Sequence, residues 1–310
     1  MTPTGAAARA RKARIRELHR LNPWWNLKVL AFAGIWTGAG YLAVHGGLPV
    51  RLACYVLIGA TLQGLVILMH EGVHRIMFRH RLLNRWVAFL CGLPAFLSVT
   101  AYRVGHLPHH RYERTARDPD ELENLSQDPR VLAGLVCLTL LVGDLYGLYR
   151  VGPLNAWRGR PDERRAIVME YGMIIAAFAA VVALVPLSVL LHAWVLPALV
   201  ARQLTNVRTV AEHALTGHGS RFAATRTVVS NRLVAFFMCN LNYHIVHHLY
   251  PAVPWYNLPA LHSLLADEQV KAGAQVYPSY TCFLLDLGRF VRRAWGPGGR
   301  SVPLSLGRAA

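Results

Sequence analysis

The chain alternates long apolar segments with short polar, arginine-rich ones. An apolar stretch of about 20 residues is long enough for one helix to cross a bilayer. Four stretches approach this length, and Pro186 alone separates the last two. They cover residues 27–45, 50–69, 167–185 and 187–203. The pattern predicts an all-α polytopic membrane protein with four transmembrane helices in two hairpins.

Two further apolar segments are less suited to crossing. The segment 87–99 is too short to cross and is interrupted by a glycine and a proline. The segment 131–149 contains Asp144 and three glycines. If 131–149 crossed, the basic segment 150–165 would lie outside, whereas basic loops are normally retained in the cytosol. We therefore expect both segments to lie at the membrane interface.

These elements divide the chain into three parts. Residues 1–26 form a basic cytosolic segment without the pattern of a cleavable signal peptide. Residues 27–290 form the membrane domain, and the Gly- and Pro-rich residues 291–310 are expected to be a flexible tail. An even number of spans puts both termini on the same side of the membrane. The basic segments identify that side as the cytosol, as in a bacterial inner membrane protein.

The amino-acid composition supports a membrane location and bears on whether the basic chain binds nucleic acid or lipid. Of 310 residues, 54% are hydrophobic and 16% charged, against about 25% charged in soluble proteins. The net charge of +17 raises nucleic acid as a partner, but no basic face with groove-reading motifs is visible. We expect no nucleic acid partner, because basic loops beside a bilayer instead suit anionic lipid head groups.

The histidines are the candidate metal ligands of this chain. Nine of the 15 lie in four short clusters. The clusters are HEGVH (His70, His74), HLPHH (His106, His109, His110), the single His213, and HIVHH (His244, His247, His248). Helix positions i, i+3 and i+4 share one face, so each cluster can present its rings together. Pro108 predicts that a helix begins there, with His106 just before it. Nine imidazoles exceed the needs of one four-coordinate zinc and favour two ions of higher coordination number.

Two other classes of protein remain open from the residues alone. HEGVH matches the H-E-x-x-H signature of zinc proteases, in which Glu71 would be the general base. Such a protease needs one more ligand, for which Asp144 is a candidate carboxylate in a later apolar stretch, and it leaves seven clustered histidines unexplained. A non-catalytic membrane protein that stores metal is the third class.

The clusters resemble the histidine boxes of the membrane fatty acid desaturase and hydroxylase superfamily. DPDE at 118–121 and the block at 240–262 extend the similarity, which covers residues 28–265. The resemblance implies a cytosolic helical cap in which the nine histidines hold two ferrous ions. The residues it implies as partners of the ligands are Glu71, Asp118, Asp120, Glu212, Asn240 and Asn242. Many desaturases have aspartate where this chain has Glu71.

The resemblance also implies the reaction. O2 would be the cosubstrate, and a long-chain fatty acyl lipid would be desaturated. A carotenoid or other lipid hydroxylase or ketolase on the same scaffold is the alternative, because the boxes do not encode the outcome. The chain has no fused cytochrome b5 motif, so the electrons are expected from a separate, ferredoxin-like protein.

Overall fold

The computed structural model describes residues 5–306, except for the side chains of residues 5–7, 144 and 150. Helices dominate this part of the chain. The first half contains α1 (Gly5–Leu18), a 3-10 turn (Pro23–Leu27), α2 (Lys28–His45), α3 (Leu48–Val73), α4 (Arg81–Gly92), α5 (Val99–Tyr112), α6 (Pro129–Tyr149) and α7 (Asn155–Arg158). The second half contains α8 (Pro161–Leu184), α9 (Leu187–Leu190), a π-helical turn (Leu191–Val195), α10 (Leu196–His213), α11 (Arg232–Phe237), α12 (His244–Leu249), α13 (Leu258–Leu264), α14 (Ala266–Lys271) and α15 (Tyr280–Trp295). Two short strands, β1 (Arg226–Val228) and β2 (Gln275–Tyr277), pair in parallel.

The four predicted spans are confirmed as helices. Among the described residues, four helical segments are long and apolar enough to cross a membrane by themselves. They are Pro23–His45, Leu48–Val73, Pro161–Leu184 and Leu187–His213. The second and fourth extend beyond their predicted ends because each continues as helix into a histidine cluster. The ends of these spans therefore carry the polar residues of the candidate site.

Helix α3 is the centre of the structure and packs against α2, α4 and α10. Close packing depends on two of its glycines. A Cβ at Gly59 would lie 2.8 Å from Val200 of α10, and one at Gly64 would lie 2.5 Å from the ring of Phe32 of α2. The two helices of the second predicted hairpin do not pack mainly against each other. Helix α8 packs mainly against α5, and α10 packs mainly against α3 and α6.

Helix α5 differs from its prediction, because it runs through Pro108 and contains His106. The prediction that a helix starts at Pro108 is wrong. A proline inside a helix removes one hydrogen bond, so other contacts must hold the segment. The start of α5 is held by Ser98, whose Oγ accepts from the Ala101 N–H at 3.0 Å and donates to the Glu170 carboxylate of α8 at 2.6 Å.

The interfacial segments are bent helix pairs. Arg81–Ala95 meets Val99–Tyr112 at 97°, and Pro129–Gly143 meets Leu145–Arg158 at 75°. Each pair is apolar enough to cross only when its two parts are joined. The position of 87–99 and 131–149 at the interface stays a prediction.

Part of the segment expected to be a flexible tail is packed. Helix α15 continues to Trp295, and the Leu306 N–H donates to the Leu215 carbonyl at 3.1 Å. Leu306 is buried in an apolar cluster with Phe290 and Ala294. Residues 307–310 lie outside the described part of the chain.

Candidate metal centre

Four helices deliver nine histidines to one region of the structure. The last turns of α3 and α10, the second half of α5 and the short helix α12 each carry one cluster. The nine are His70, His74, His106, His109, His110, His213, His244, His247 and His248. Since each cluster presents its rings on one helix face, the helices need only end side by side for the rings to meet.

Five rings, which we call the five-histidine group, come from three helices: His70, His74, His106, His110 and His247. One ring nitrogen of each lies within 4.8 Å of the others. The Nε2 atom of His74 is 3.2 Å from that of His70 and 3.0 Å from that of His106. The Nε2 atoms of His106 and His110 are 2.9 Å apart.

Hydrogen bonds between the rings cannot account for all of these short nitrogen–nitrogen distances. A neutral ring nitrogen either carries one N–H or offers one lone pair. If the Nε2 of His74 accepts, it has one lone pair for both His70 and His106; if it donates, it has one N–H for both. Nitrogens at adjacent corners of an octahedral ion with bonds of about 2.1 Å lie about 3.0 Å apart. The five-histidine group therefore has the spacing of a metal site.

The other four histidines, which we call the His213 group, form two sets that share His213: His109, His213 and His248, and His213 and His244 with Glu212. The Nε2 atoms of His213 and His244 are 2.9 Å apart, and the Glu212 carboxylate lies within 4.8 Å of both. The ring of His248 stacks on that of His110 with centroids 4.1 Å apart. Two adjacent groups thus share one buried region.

The donor atoms in both groups suit a cation. Neither ring nitrogen of His247 has a hydrogen-bond partner, and the buried Nε2 atoms of His109 and His248 lack one as well. Burial lowers the pKa values of His244, His247 and His248 well below the usual range. These rings are consequently neutral at pH 7, the state in which imidazole binds a metal. The residues fit a pair of metal ions.

Carboxylates contact the outer nitrogens of two rings in the His213 group. Asp118 Oδ1 accepts from His109 Nδ1 at 2.8 Å. Because a carboxylate only accepts, His109 Nδ1 must carry the proton and its Nε2 lone pair is free. Glu113 Oε1 lies 2.7 Å from His248 Nδ1 in a geometry unfavourable for a hydrogen bond, and burial raises the Glu113 pKa to about 7.

The other predicted acidic partners are more distant. Glu212 lies 3.5 Å from His244 Nδ1, and Asp120 lies 3.8 Å from His109 Nδ1. Glu71 Oε1 is 3.7 Å from His70 Nδ1, while its other oxygen accepts from the Trp255 N–H at 2.9 Å. Glu71 therefore connects the first cluster to the segment after the last one.

The two predicted asparagines donate to the backbone. The amide of Asn242 donates to the carbonyls of Val228 and Val229 at 3.0 and 2.9 Å. That of Asn240 donates to the Trp255 carbonyl at 3.3 Å. These bonds hold the segment before α12 against β1 and the Trp255 loop, so the asparagines support the helix that carries the last cluster, HIVHH.

Sequence reasoning missed two residues beside the centre. Glu113 follows His110 by three positions, a helical spacing that could have identified it. Arg226 is fully buried and donates to the carbonyls of Ala211 (2.7 Å) and Leu215 (3.1 Å) at the end of α10, next to His213. No sequence signal marks Arg226, because its partners lie in another element.

Asp118→Asn is expected to lower metal affinity or turnover about 10- to 100-fold, the usual effect of losing a carboxylate behind a ligand. A neutral amide oxygen holds the His109 N–H less firmly than a carboxylate does. The measurement is metal content per chain together with turnover. Asp267→Asn removes an equal charge from an exposed site and should match wild type. Equal metal content and turnover in Asp118→Asn would contradict this role.

The sequence of the chain is similar to those of known desaturases. Residues 46–280 match the family model described as fatty acid desaturase. An sn-1 oleoyl-lipid 12-desaturase from Arthrospira platensis is 23% identical over 72% of this chain and 71% of its own length. The enzyme of that name from Synechocystis sp. is 22% identical over 69% and 67%. A sphingolipid delta(4)-desaturase from Drosophila melanogaster is 25% identical over 67% and 64%.

Proposed function

The chain belongs to the fatty acid desaturase family, and from this premise we propose that it is a membrane non-haem di-iron oxidoreductase that desaturates a long-chain fatty acyl lipid. The observation that carries the proposal is the pair of adjacent histidine groups at the ends of the apolar helices. The relatives whose names specify lipid desaturation are consistent with an acyl lipid as the substrate.

The five-histidine group would hold one ferrous ion and the His213 group the other. Imidazole is an accepted ligand for iron, and five and four rings are suitable numbers for ions of five or six coordination. When bound, the ions would supply the activation of O2 needed to remove hydrogen from an unactivated C–H bond.

The residues of the chain would orient and shield this site. Asp118 keeps His109 in one tautomer, and Glu71 holds the Trp255 loop beside the first cluster. His70, His247 and His248 are buried, which would limit the access of bulk water to the reacting atoms. The apolar helices would let the acyl chain reach the site from the bilayer.

The proposed topology places the termini and the metal site on the cytosolic face of a bacterial inner membrane. Basic loops on that face would suit anionic lipids and an acidic, ferredoxin-like electron donor.

The site is a poor match for a zinc protease. In that class Glu71 would act on a zinc-bound water, but here one of its oxygens accepts from the Trp255 backbone. The pair His70 and His74 shares its space with three further rings, whereas a catalytic zinc uses three protein ligands.

The test is expression in a bacterial host supplied with a ferredoxin system. Metal analysis of the purified protein should find about two irons per chain, and mass spectrometry should find a new double bond in the acyl lipids. Zinc as the sole metal would refute the di-iron proposal. A changed pigment in a carotenoid-producing host, with unchanged acyl chains, would instead support the hydroxylase alternative.

A further inference from the structure

A cavity of about 630 Å³, which none of the nine histidines lines, lies at the start of the first span. Its walls come from the 3-10 turn before α2, the first residues of α2, residues 229–236 in and before α11, and Asn240, Tyr243 and Trp255. Trp24 and Trp25 at its mouth are 74% and 52% exposed. Exposed tryptophans at the end of a span are typical of the interface between water and the acyl chains. The cavity is therefore at the depth of lipid head groups.

Lys28 forms part of the cavity wall and is an unusual buried cation. Its side chain is nine-tenths buried, and its Nζ lies over the rings of Phe236 (4.2 Å) and Trp255 (4.3 Å). Among the described residues, the Lys28 ammonium group has no hydrogen bond or ion pair, only contacts with these two rings and, at 5.4 Å, with the ring of Phe32. A buried charge without an anionic partner is costly, so the site is incomplete as the protein alone supplies it.

A second unpartnered donor borders the same cavity. The indole Nε1 of Trp255 is buried and has no hydrogen-bond acceptor. Buried Trp N–H groups usually have one. Arg232 adds a second positive side chain to the lining, and none of the described lining residues is acidic.

The groups nearest Lys28 inside the protein do not neutralise it. Burial raises the pKa of Cys239 to about 12, so this thiol is uncharged at neutral pH. Among the described residues, no ion pair joins Lys28 to Glu71, whose carboxylate lies between the Trp255 backbone N–H (2.9 Å) and His70 Nδ1 (3.7 Å). An anion from outside the chain is the partner that remains.

We propose that this cavity binds the phosphate group of an anionic phospholipid, with Lys28 as the charge partner and Trp255 Nε1 as a hydrogen-bond donor. Lysine binds phosphate as a point charge, and the aromatic rim would contact the glycerol and upper acyl chains. The site goes beyond the proposed function, because it depends neither on the metal ions nor on the identity of the substrate.

The test is native mass spectrometry of the purified full chain in detergent with phosphatidylglycerol, and with a neutral galactolipid that lacks phosphate. Wild type should bind the phosphatidylglycerol selectively. Lys28→Met should weaken that binding at least about tenfold, the effect expected when a charge-assisted contact to phosphate is lost. Lys271→Met removes the same charge from an exposed position and is the matched control.

A second variant and a competition experiment complete the test. Trp255→Phe keeps an aromatic side chain, smaller than indole, and removes the N–H, so it should weaken binding about threefold to tenfold even if Lys28→Met does not fold. Inorganic phosphate should compete if the phosphate alone is recognised, and only the whole lipid should compete if the glycerol and chains are required. Equal phosphatidylglycerol binding in wild type, Lys28→Met and Trp255→Phe, or equal binding of the galactolipid, would overturn the proposal.

Discussion

Replacement of His247 by alanine is expected to lower lipid desaturation at least about 100-fold and to remove metal from the five-histidine group. Loss of a residue behind a ligand already costs about 10- to 100-fold, so loss of a direct ligand should cost more. His247 is fully buried, and its ring lies 4.7 Å from that of His70 and 5.0 Å from that of His110, centroid to centroid. Neither of its ring nitrogens has a hydrogen-bond partner, which is consistent with its proposed role as a metal ligand.

Metal content and turnover should be measured together on the same preparation. The His247→Ala protein should keep its fold, since the change removes one ring from a cluster held by several helices, and its iron content should fall below that of wild type. His45→Ala is the matched control, because His45 is exposed at the end of α2. Wild-type iron content and turnover in His247→Ala would refute its assignment as a ligand.

Arg226→Met should destabilise the protein by about 3 kcal/mol or more and loosen the His213 group. Arg226 donates to the carbonyls of Ala211 and Leu215 and to Gln275 Oε1 (2.9 Å), and methionine would leave these buried acceptors unpaired. Each unsatisfied buried group costs about 1–3 kcal/mol. Burial lowers the Arg226 pKa to about 10, which still leaves the guanidinium charged at pH 7.

Thermal unfolding in detergent and metal content per chain would check this effect. Arg226 caps the end of α10, so metal should be lost from the His213 group before the five-histidine group, and the iron content should approach one per chain. Arg292→Met changes an exposed arginine of α15 and should alter stability by less than about 0.5 kcal/mol. An unchanged melting temperature in Arg226→Met would show that the buried arginine does not stabilise the end of α10.

Hydropathy was sufficient to predict the four candidate spans, because a helix that faces lipid must be apolar over its whole length. The helix ends were less predictable. Residues 70–73 and 204–213 are more polar than the apolar stretches before them yet helical, and tertiary packing buries their polar members His70, Glu71, Asn206 and Glu212. Pro108 was also misleading, because α5 runs through it although proline disfavours a helix interior.

The nine histidines were identifiable from spacing alone, because positions i, i+3 and i+4 meet on one helix face whatever the surroundings. Which histidine joins which group depends on how the helices are arranged. His109 and His110 are adjacent in the chain, but the helix turns their rings apart, His110 into the five-histidine group and His109 into the His213 group.

The sequence by itself determined the helical class, the number of candidate spans and the histidines of the centre, since each depends on a periodic or local property of the chain. Only the tertiary structure decided the division into two groups, the buried cap at Arg226 and the unpaired charge of Lys28 beside its cavity. Their partners lie in other elements, as with Arg226 and Gln275, which are 49 residues apart. Hydropathy and helical spacing describe neighbours along one helix, whereas the cost of burying a charge depends on groups that folding brings in from elsewhere.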